Sequence, residues 1–347
     1  MRTSLVAALL AIALSACGEG GGLPSSPPTP NPPSGAATSA PTTLLLPPNG
    51  SIYLGGYIDP EGVVPQRISD LTAFESAIGR HLALSTHYYA FYQAFPGAYE
   101  QNDIQNGRIP IDSWDCQPSN ASIAAGNQDT AIRARADAIK AFGYPIFLRY
   151  MWEMNLPSNP YFRLACYDPA TDLPNGQFSP QEYIAAWDRI RAIFAQEKVT
   201  NVIWLWNPSG TTDPATYYPG ASEVDWIGFD RYDTTNVTFA QTYQLAYLWL
   251  APYGKPIIVG ETGADAATQP AFFAAAAATL HGSYPLIKGY LYFDSGSGNA
   301  ANSWVIPASN IPLFAAMAQR PYMSAMAPVM PSATLSTSGT RLRSNLK

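Results

Sequence analysis

The chain has 347 residues, enough for one large or two ordinary domains. Only 13% are charged, about half the usual globular share, while 12% are Phe, Trp or Tyr and 47% are hydrophobic. Lys and Arg (19) against Asp and Glu (25) give a net charge of −6, with no basic run apart from Arg341, Arg343 and Lys347, and no uncharged apolar run approaches 18 residues; a nucleic-acid partner and a membrane-spanning helix are both excluded as expectations.

Residues 1–16 read as an export signal. Arg2 supplies the positive start, Leu5 to Leu14 is apolar but too short to span, and Leu14-Ser15-Ala16-Cys17 follows. That tetrapeptide resembles the lipobox of bacterial lipoproteins, which implies lipidation of Cys17 and a membrane anchor made of acyl chains; an ordinary secretory peptide ending near a cysteine is the alternative. Either way the mature chain is expected outside the cytoplasm, at the outer membrane or cell surface. Residues 17–49 follow as a linker. No charged residue occurs from Gly20 to Ile58, and nine prolines lie between Gly21 and Pro48, so the segment cannot bury enough apolar surface to offset its ordering entropy. Residues 323–347, rich in Ser, Thr, Ala and Pro, read as a disordered tail.

Between these, residues 50–322 alternate short apolar runs with helical patterns. The expected strands are Ile52–Ile58, His81–Tyr88, Arg108–Ser113, Pro145–Trp152, Asn201–Trp206, Val224–Phe229, Pro256–Gly260 and Ile287–Phe293. The clearest helix is Pro180–Glu197, with Ser179 as cap, Pro180 at the first position, Glu182 three residues after the cap, and an apolar stripe of Tyr183, Ile184, Trp187, Ile190 and Phe194. A second stripe runs Ile132, Ala136, Ile139, Phe142 to Gly143, and a third spans Pro270 to Leu280. Eight strands with helices between most of them fit a single (β/α)8 TIM barrel, in the α/β class; an open doubly wound sheet would show a similar alternation. In an exported domain Cys116 and Cys166 are expected to form a disulfide, with two separate buried thiols as the alternative.

A barrel carries its chemistry at the C-terminal ends of its strands. Strand four ends in Arg149-Tyr-Met-Trp-Glu-Met-Asn155 and strand seven in Ile257-Ile-Val-Gly-Glu261-Thr-Gly263. Two carboxyls across one mouth suit glycosidic cleavage, in which one donates a proton while the other attacks or activates water at an oxocarbenium-like centre. Glu261 follows Gly260, which permits close approach, and is the nucleophile candidate. Glu153 lies among Trp152, Met151 and Met154, whose desolvation favours a protonated carboxyl, and is the acid/base candidate. Singly, each glutamate could equally be a solvated or salt-bridged residue, with Arg149 available to Glu153.

The ordered set Arg149…Trp-Glu153-Met-Asn155, Trp206-Asn-Pro208, Tyr217-Tyr-Pro-Gly220…Val224-Asp-Trp-Ile-Gly-Phe-Asp230-Arg-Tyr232 and Pro256…Gly-Glu261-Thr-Gly resembles glycoside hydrolase family 26 over most of the core. The resemblance implies a retaining β-glycanase of a (β/α)8 clan, best known for β-mannanases and including β-1,3-xylanases and mixed-linkage glucanases. It implies Glu153 as acid/base, Glu261 as nucleophile and Tyr232 as a hydrogen-bond partner of the nucleophile. One departure bears on the substrate: mannanases of the family usually carry His directly before the acid/base, where this chain has Trp152.

Further substrate-binding candidates are Trp114, Trp206 and Trp304, whose indole faces could stack on sugar rings or simply pack in the core. His87 could donate to a sugar hydroxyl or be structural, Arg149 could orient a carboxylate, and Asn155 could hold a hydroxyl. Gly296-Ser-Gly298 superficially suggests a dinucleotide loop, but no amphipathic helix follows it. No metal or cofactor is expected. A polysaccharide is the expected partner, contact with the membrane is confined to the lipid anchor, and the chain is expected to be monomeric.

Overall fold

The computed structural model describes residues 45–62, 66–156, 165–233, 238–296 and 304–328. The signal segment, Cys17, most of the linker and residues 329–347 lie outside the described residues.

Eight parallel strands close into a barrel in sequence order: β1 (Tyr53–Asp59), β2 (Leu84–Tyr89), β3 (Ile109–Trp114), β4 (Ile146–Tyr150), β5 (Val202–Trp206), β6 (Trp226–Asp230), β7 (Ile257–Thr262) and β8 (Ile287–Ser295). The expected (β/α)8 architecture is therefore present, and β1 pairing with β8 removes the edges that an open sheet would retain. Around it lie α1 (Arg67–Ile78), α2 (Ala98–Gln105), α3 (Asn120–Ala124), α4 (Asp129–Phe142), α5 (Pro180–Gln196), α6 (Phe239–Leu250), α7 (Gln269–Ser283) and α8 (Ile311–Ala318). Between β5 and β6 the only helical turn is a 3-10 turn at Ala215–Tyr217.

Local chemistry accounts for the helix ends. Ser179 Oγ accepts the Glu182 N–H at 3.3 Å and Pro180 opens α5, so the cap expected from sequence starts the helix. Its buried stripe is Tyr183, Ala186, Trp187, Ile190, Ile193 and Phe194. Each of the larger apolar chains contributes about 1.5–3 kcal/mol on leaving water. Gly143 closes α4 with φ at 76°, a conformation glycine adopts without penalty.

Strand alternation sorts side chains into two layers. Tyr53, Leu84, Ile109, Ile111, Phe147, Ile203, Leu205, Trp226, Ile258 and Leu291 pack together inside the barrel. Their alternates, such as Leu54, Leu148, Trp204, Val259 and Tyr290, join the helices in the outer core. Two expected boundaries shift. Leu45, Ala325 and Ala327 pack against the interior cluster, Met323 is fully buried, and Ala325 bridges to Tyr53. The folded unit thus reaches to about residues 45 and 328, because small apolar side chains on both flanking segments cover the floor of the barrel. Cys116 and Cys166 form the expected disulfide, tying the loop after β3 to the one before α5.

Candidate active site

The upper part of the barrel is polar, and its geometry begins with an irregularity in β7. Phe229 pairs with Val259, but Asp230 pairs with Glu261, so β7 carries one extra residue, Gly260. The β7–β8 register skips at the same place. Strict alternation would send Glu261 outward next to the inward Ile258 and Gly260. The bulge instead turns Glu261 toward the mouth. Glycine is required there: a Cβ on residue 260 would lie 2.2 Å from Asn207 Oδ1 and 2.7 Å from Asp230 Oδ1. Gly228 on β6 is equally constrained, at 2.0 Å from Asn207 Oδ1.

Three donors converge on the Glu261 carboxylate. Arg149 Nη2 donates to Oε1 at 2.8 Å, Tyr88 Oη donates to Oε1 at 2.7 Å, and Tyr232 Oη donates to Oε2 at 2.7 Å. Arg149 is fully buried and also reaches Ser113 Oγ at 2.9 Å and, more loosely, Asn207 and Asp230 at 3.4 Å. Burial by itself would lower the Arg149 pKa, but Asp230 and then Glu261 outweigh it and hold the guanidinium charged. Asp230 is driven well above the carboxylate range, first by burial and then by the Glu261 charge, against the opposing pull of Arg149. Burial and the Glu261 charge thus favour the protonated form of Asp230, while Arg149 favours the ionised form. Burial and the neighbouring Glu261 charge raise both Tyr88 and Tyr232 well above the normal phenol value, so both hydroxyls remain donors.

The second glutamate stands on a tight turn after β4. Met151 and Glu153 both have positive φ, 44° and 56°, a region that non-glycine residues seldom occupy. The turn is held from both sides: Met151 N–H donates to Trp114 O at 2.9 Å and Glu153 N–H to Asn207 O at 2.8 Å. Between them Trp152 packs on Tyr88, ring centroids 5.1 Å apart, and lies 5.3 Å from the Arg149 guanidinium. Glu153 is partly exposed, and its charge contributes to the upward shift of Asp230. Two left-handed residues anchored by neighbouring strands are the kind of local strain that functional turns retain.

Aromatic rings line the mouth. Tyr57 stacks on Phe293 at 4.8 Å, Tyr88 meets Tyr57 edge-on at 5.1 Å, and Tyr232 stacks on Trp304 at 4.8 Å. The site thus unites Glu153, Glu261, Arg149, Tyr232 and Trp304 from the sequence candidates. Trp304, however, is only 4% exposed and lies against Tyr232 and Gly263, so it backs the Tyr232 ring and offers no open face. Arg149 is likewise sealed from substrate and acts on the carboxylate.

Four expected substrate contacts are corrected. Trp114 points out of the barrel, stacks on Phe91 at 4.8 Å and donates its Nε1–H to Phe91 O. Trp206 also faces outward, fully buried against Tyr218 and Tyr253. His87 accepts at Nδ1 from Arg67 Nη2 (2.9 Å) and meets Asp103 through Nε2 (2.6 Å), with no ring nitrogen left for a sugar. Asn155 ties its turn to Ser209 and Thr212. The first three occupy the outward parity of their strands. The same alternation, counted by twos along each strand from the interior residues Leu84, Ile111, Leu205 and Trp226, marks Tyr88, Ser113, Asn207 and Asp230 as inward; a reading that weighs residue type ahead of strand parity misses them.

Comparison with known proteins finds a family match over part of the chain. The Glycosyl hydrolase family 26 profile matches residues 174–253, a stretch that contains Tyr232 but neither glutamate. Endoglucanase H of Acetivibrio thermocellus is 28% identical over 229 residues, 61% of this chain and 24% of that protein. Mannan endo-1,4-beta-mannosidase A and B of Caldalkalibacillus mannanilyticus is 32% identical over 83 residues, 23% of this chain and 15% of that protein. The chain therefore spans a quarter or less of the length of these curated relatives. Among solved structures, a GH26 beta-mannanase from Bacteroides ovatus superposes with a TM-score of 0.59 at 13% identity, covering 80% of this chain and 91% of that one. The YdhT protein from Bacillus subtilis gives 0.56 at 16%, covering 82% and 92%. At these identities the structural likeness is one of fold.

Proposed function

We propose that the chain, similar to glycosyl hydrolase family 26 over residues 174–253 and to an endoglucanase over 229 residues, is a retaining endo-β-glycan hydrolase of that family working by double displacement. The observation that carries this reading is the Glu261 carboxylate, turned into the mouth by a bulge and held by three donors, with Glu153 on an anchored turn of β4. A charged carboxylate fixed in this way is prepared to attack an anomeric carbon. Glu153 protonates the departing glycosidic oxygen, then deprotonates the water that cleaves the glycosyl-enzyme.

The substrate is a neutral β-glycan, met by aromatic rings and hydroxyls. A glucan is favoured over mannan on two grounds: the longer curated match is to an endoglucanase, and Trp152 occupies the place where mannanases of the family usually carry His. Reducing-end release from mixed-linkage glucan, β-1,4-glucan, mannan, galactomannan, β-1,3-xylan and β-1,4-xylan tests this. Activity on mannan alone would overturn the preference for glucan. Glycan binding without release of ends by the wild-type protein would favour a non-catalytic surface lectin.

Localisation follows from the first residues. Cys17 carries a lipid and tethers the monomeric barrel to the outer membrane or cell surface through the uncharged, proline-rich linker. Incorporation of labelled palmitate into the wild-type protein and its loss in Cys17→Ser is the expected result.

A further inference from the structure

The two oxygens of Glu261 are held unequally. An ionised carboxylate offers about two lone-pair sites per oxygen. Oε1 receives Tyr88 Oη at 2.7 Å and Arg149 Nη2 at 2.8 Å, which fills both. Oε2 receives Tyr232 Oη at 2.7 Å and, among the described residues, no other donor. Tyr88 is itself firmly placed. Its ring meets Tyr57 at 5.1 Å, Trp152 at 5.1 Å and Phe293 at 6.3 Å, and the Arg149 guanidinium lies 5.5 Å from its centroid. One side chain on β2 therefore touches the carboxylate of β7 and packs on the turn that carries Glu153.

We propose that Tyr88 is a positioning residue which, together with Arg149, fixes Glu261 Oε1 as the spectator oxygen and leaves Oε2 as the atom that attacks. This rests on the reading of Glu261 as nucleophile. In the step so defined, an Oε2 lone pair forms the bond to the anomeric carbon as the glycosidic carbon–oxygen bond breaks. The electron pair departs with the aglycone oxygen, which takes the proton of Glu153. Oε1 becomes the ester carbonyl oxygen and keeps Tyr88 and Arg149 as donors. A hydroxyl that donates to a carboxylate oxygen favours the charged form, so loss of the hydroxyl is felt most where that form is scarce.

Tyr88→Phe tests this by removing one hydroxyl and keeping the ring. The charged and titratable groups around the carboxylate, namely Arg149 on β4, Asp230 on β6, Tyr232 after β6 and Glu153, remain in place. The acid limb of the kcat/KM–pH profile, measured on the fastest substrate of the screen, is expected to rise by about one pH unit. The fall in kcat/KM is expected to reach roughly tenfold on the acid side and to lie mainly in kcat. Tyr57→Phe, which changes a ring of the same cluster whose hydroxyl bonds Asp59, should leave the limb unmoved. Should Tyr88→Phe fail to fold by thermal melting, 3,5-difluorotyrosine at position 88, a stronger donor of nearly equal volume, is expected to move the limb downward. An acid limb indifferent to either change overturns the proposal. Glu261→Gln, assayed in parallel, separates the two readings: full turnover there would overturn the assignment of the nucleophile, whereas an inactive Glu261→Gln beside an unmoved Tyr88→Phe profile would overturn the role of Tyr88 alone.

Discussion

Two buried ionic clusters share β2 and β3, and they differ in one respect that separates chemistry from scaffolding. Outside the barrel, Arg108 donates to both oxygens of Glu75 and to Asp103, His81 and the Leu82 N–H complete Glu75, and His87 links Asp103 to Arg67. Every carboxylate oxygen in that cluster has a partner, and the side chains of Arg108 and Asp103 are 1% exposed. Inside the mouth, Arg149 plays the part of Arg108, yet the Glu261 side chain is 9% exposed. A carboxylate sealed on every side cannot meet a ligand. One held by three donors at an open mouth is suited to reaction.

Substitutions in the two clusters should therefore fail in different ways. The largest effect is expected from Glu261→Ala, with turnover reduced by at least about 10⁴-fold and little change in melting temperature, since Arg149 keeps Asp230 and Asn207 as partners. Reducing-end release and a thermal melt on the same sample check both halves. Next comes Arg108→Ala, which strands Glu75 and Asp103; a loss of about 3–5 kcal/mol in urea unfolding, with activity per folded molecule unchanged, is the expected outcome. Equal damage to turnover would mean that the outer cluster belongs to the site. Gly260→Ala acts on the inner cluster by displacement, because the added methyl meets Asn207 and Asp230. Shifting the nucleophile by about 1 Å costs on the order of 10²-fold in kcat, and a wild-type rate would show that the bulge does not hold Glu261.

The mildest test concerns another buried acid, Asp294 at the outer face of β8. Burial raises its pKa to about 7, the Ile306 N–H opposes the rise, and Asp59 and Asp70 add to it. Its folded pKa lies above the unfolded value, so the proton binds the folded state more tightly. The stabilisation is complete below about pH 4 and is lost as the pH rises through about 7. Wild-type stability should decline across that window by no more than about 1.4 kcal/mol per pH unit. Urea midpoints of Asp294→Asn should show a flatter profile there, and parallel profiles would count against the shift.

Much of this was legible in the residues. Period-two runs separated by capped helical stripes identify eight strands and their order, since alternation and capping are local properties of a short segment. The glutamates after strands four and seven, Gly260 before one of them, and the Cys116–Cys166 pair could all be read in the same way. His87, Trp114 and Trp206 were misread because a ring suited to a sugar is equally suited to the outer core, and only parity along the strand distinguishes the two.

What the sequence by itself determined, then, was the barrel and the pair of acids at its mouth. Only the tertiary structure decided which way Glu261 faces and what holds it. The bulge is a mismatch of β7 against both β6 and β8, and the three donors come from β2, β4 and the segment after β6, so neither exists until the closed sheet brings those strands into register. The hydrogen bonds that orient a buried carboxylate span 29 to 173 residues of chain, a range over which no local pattern carries information.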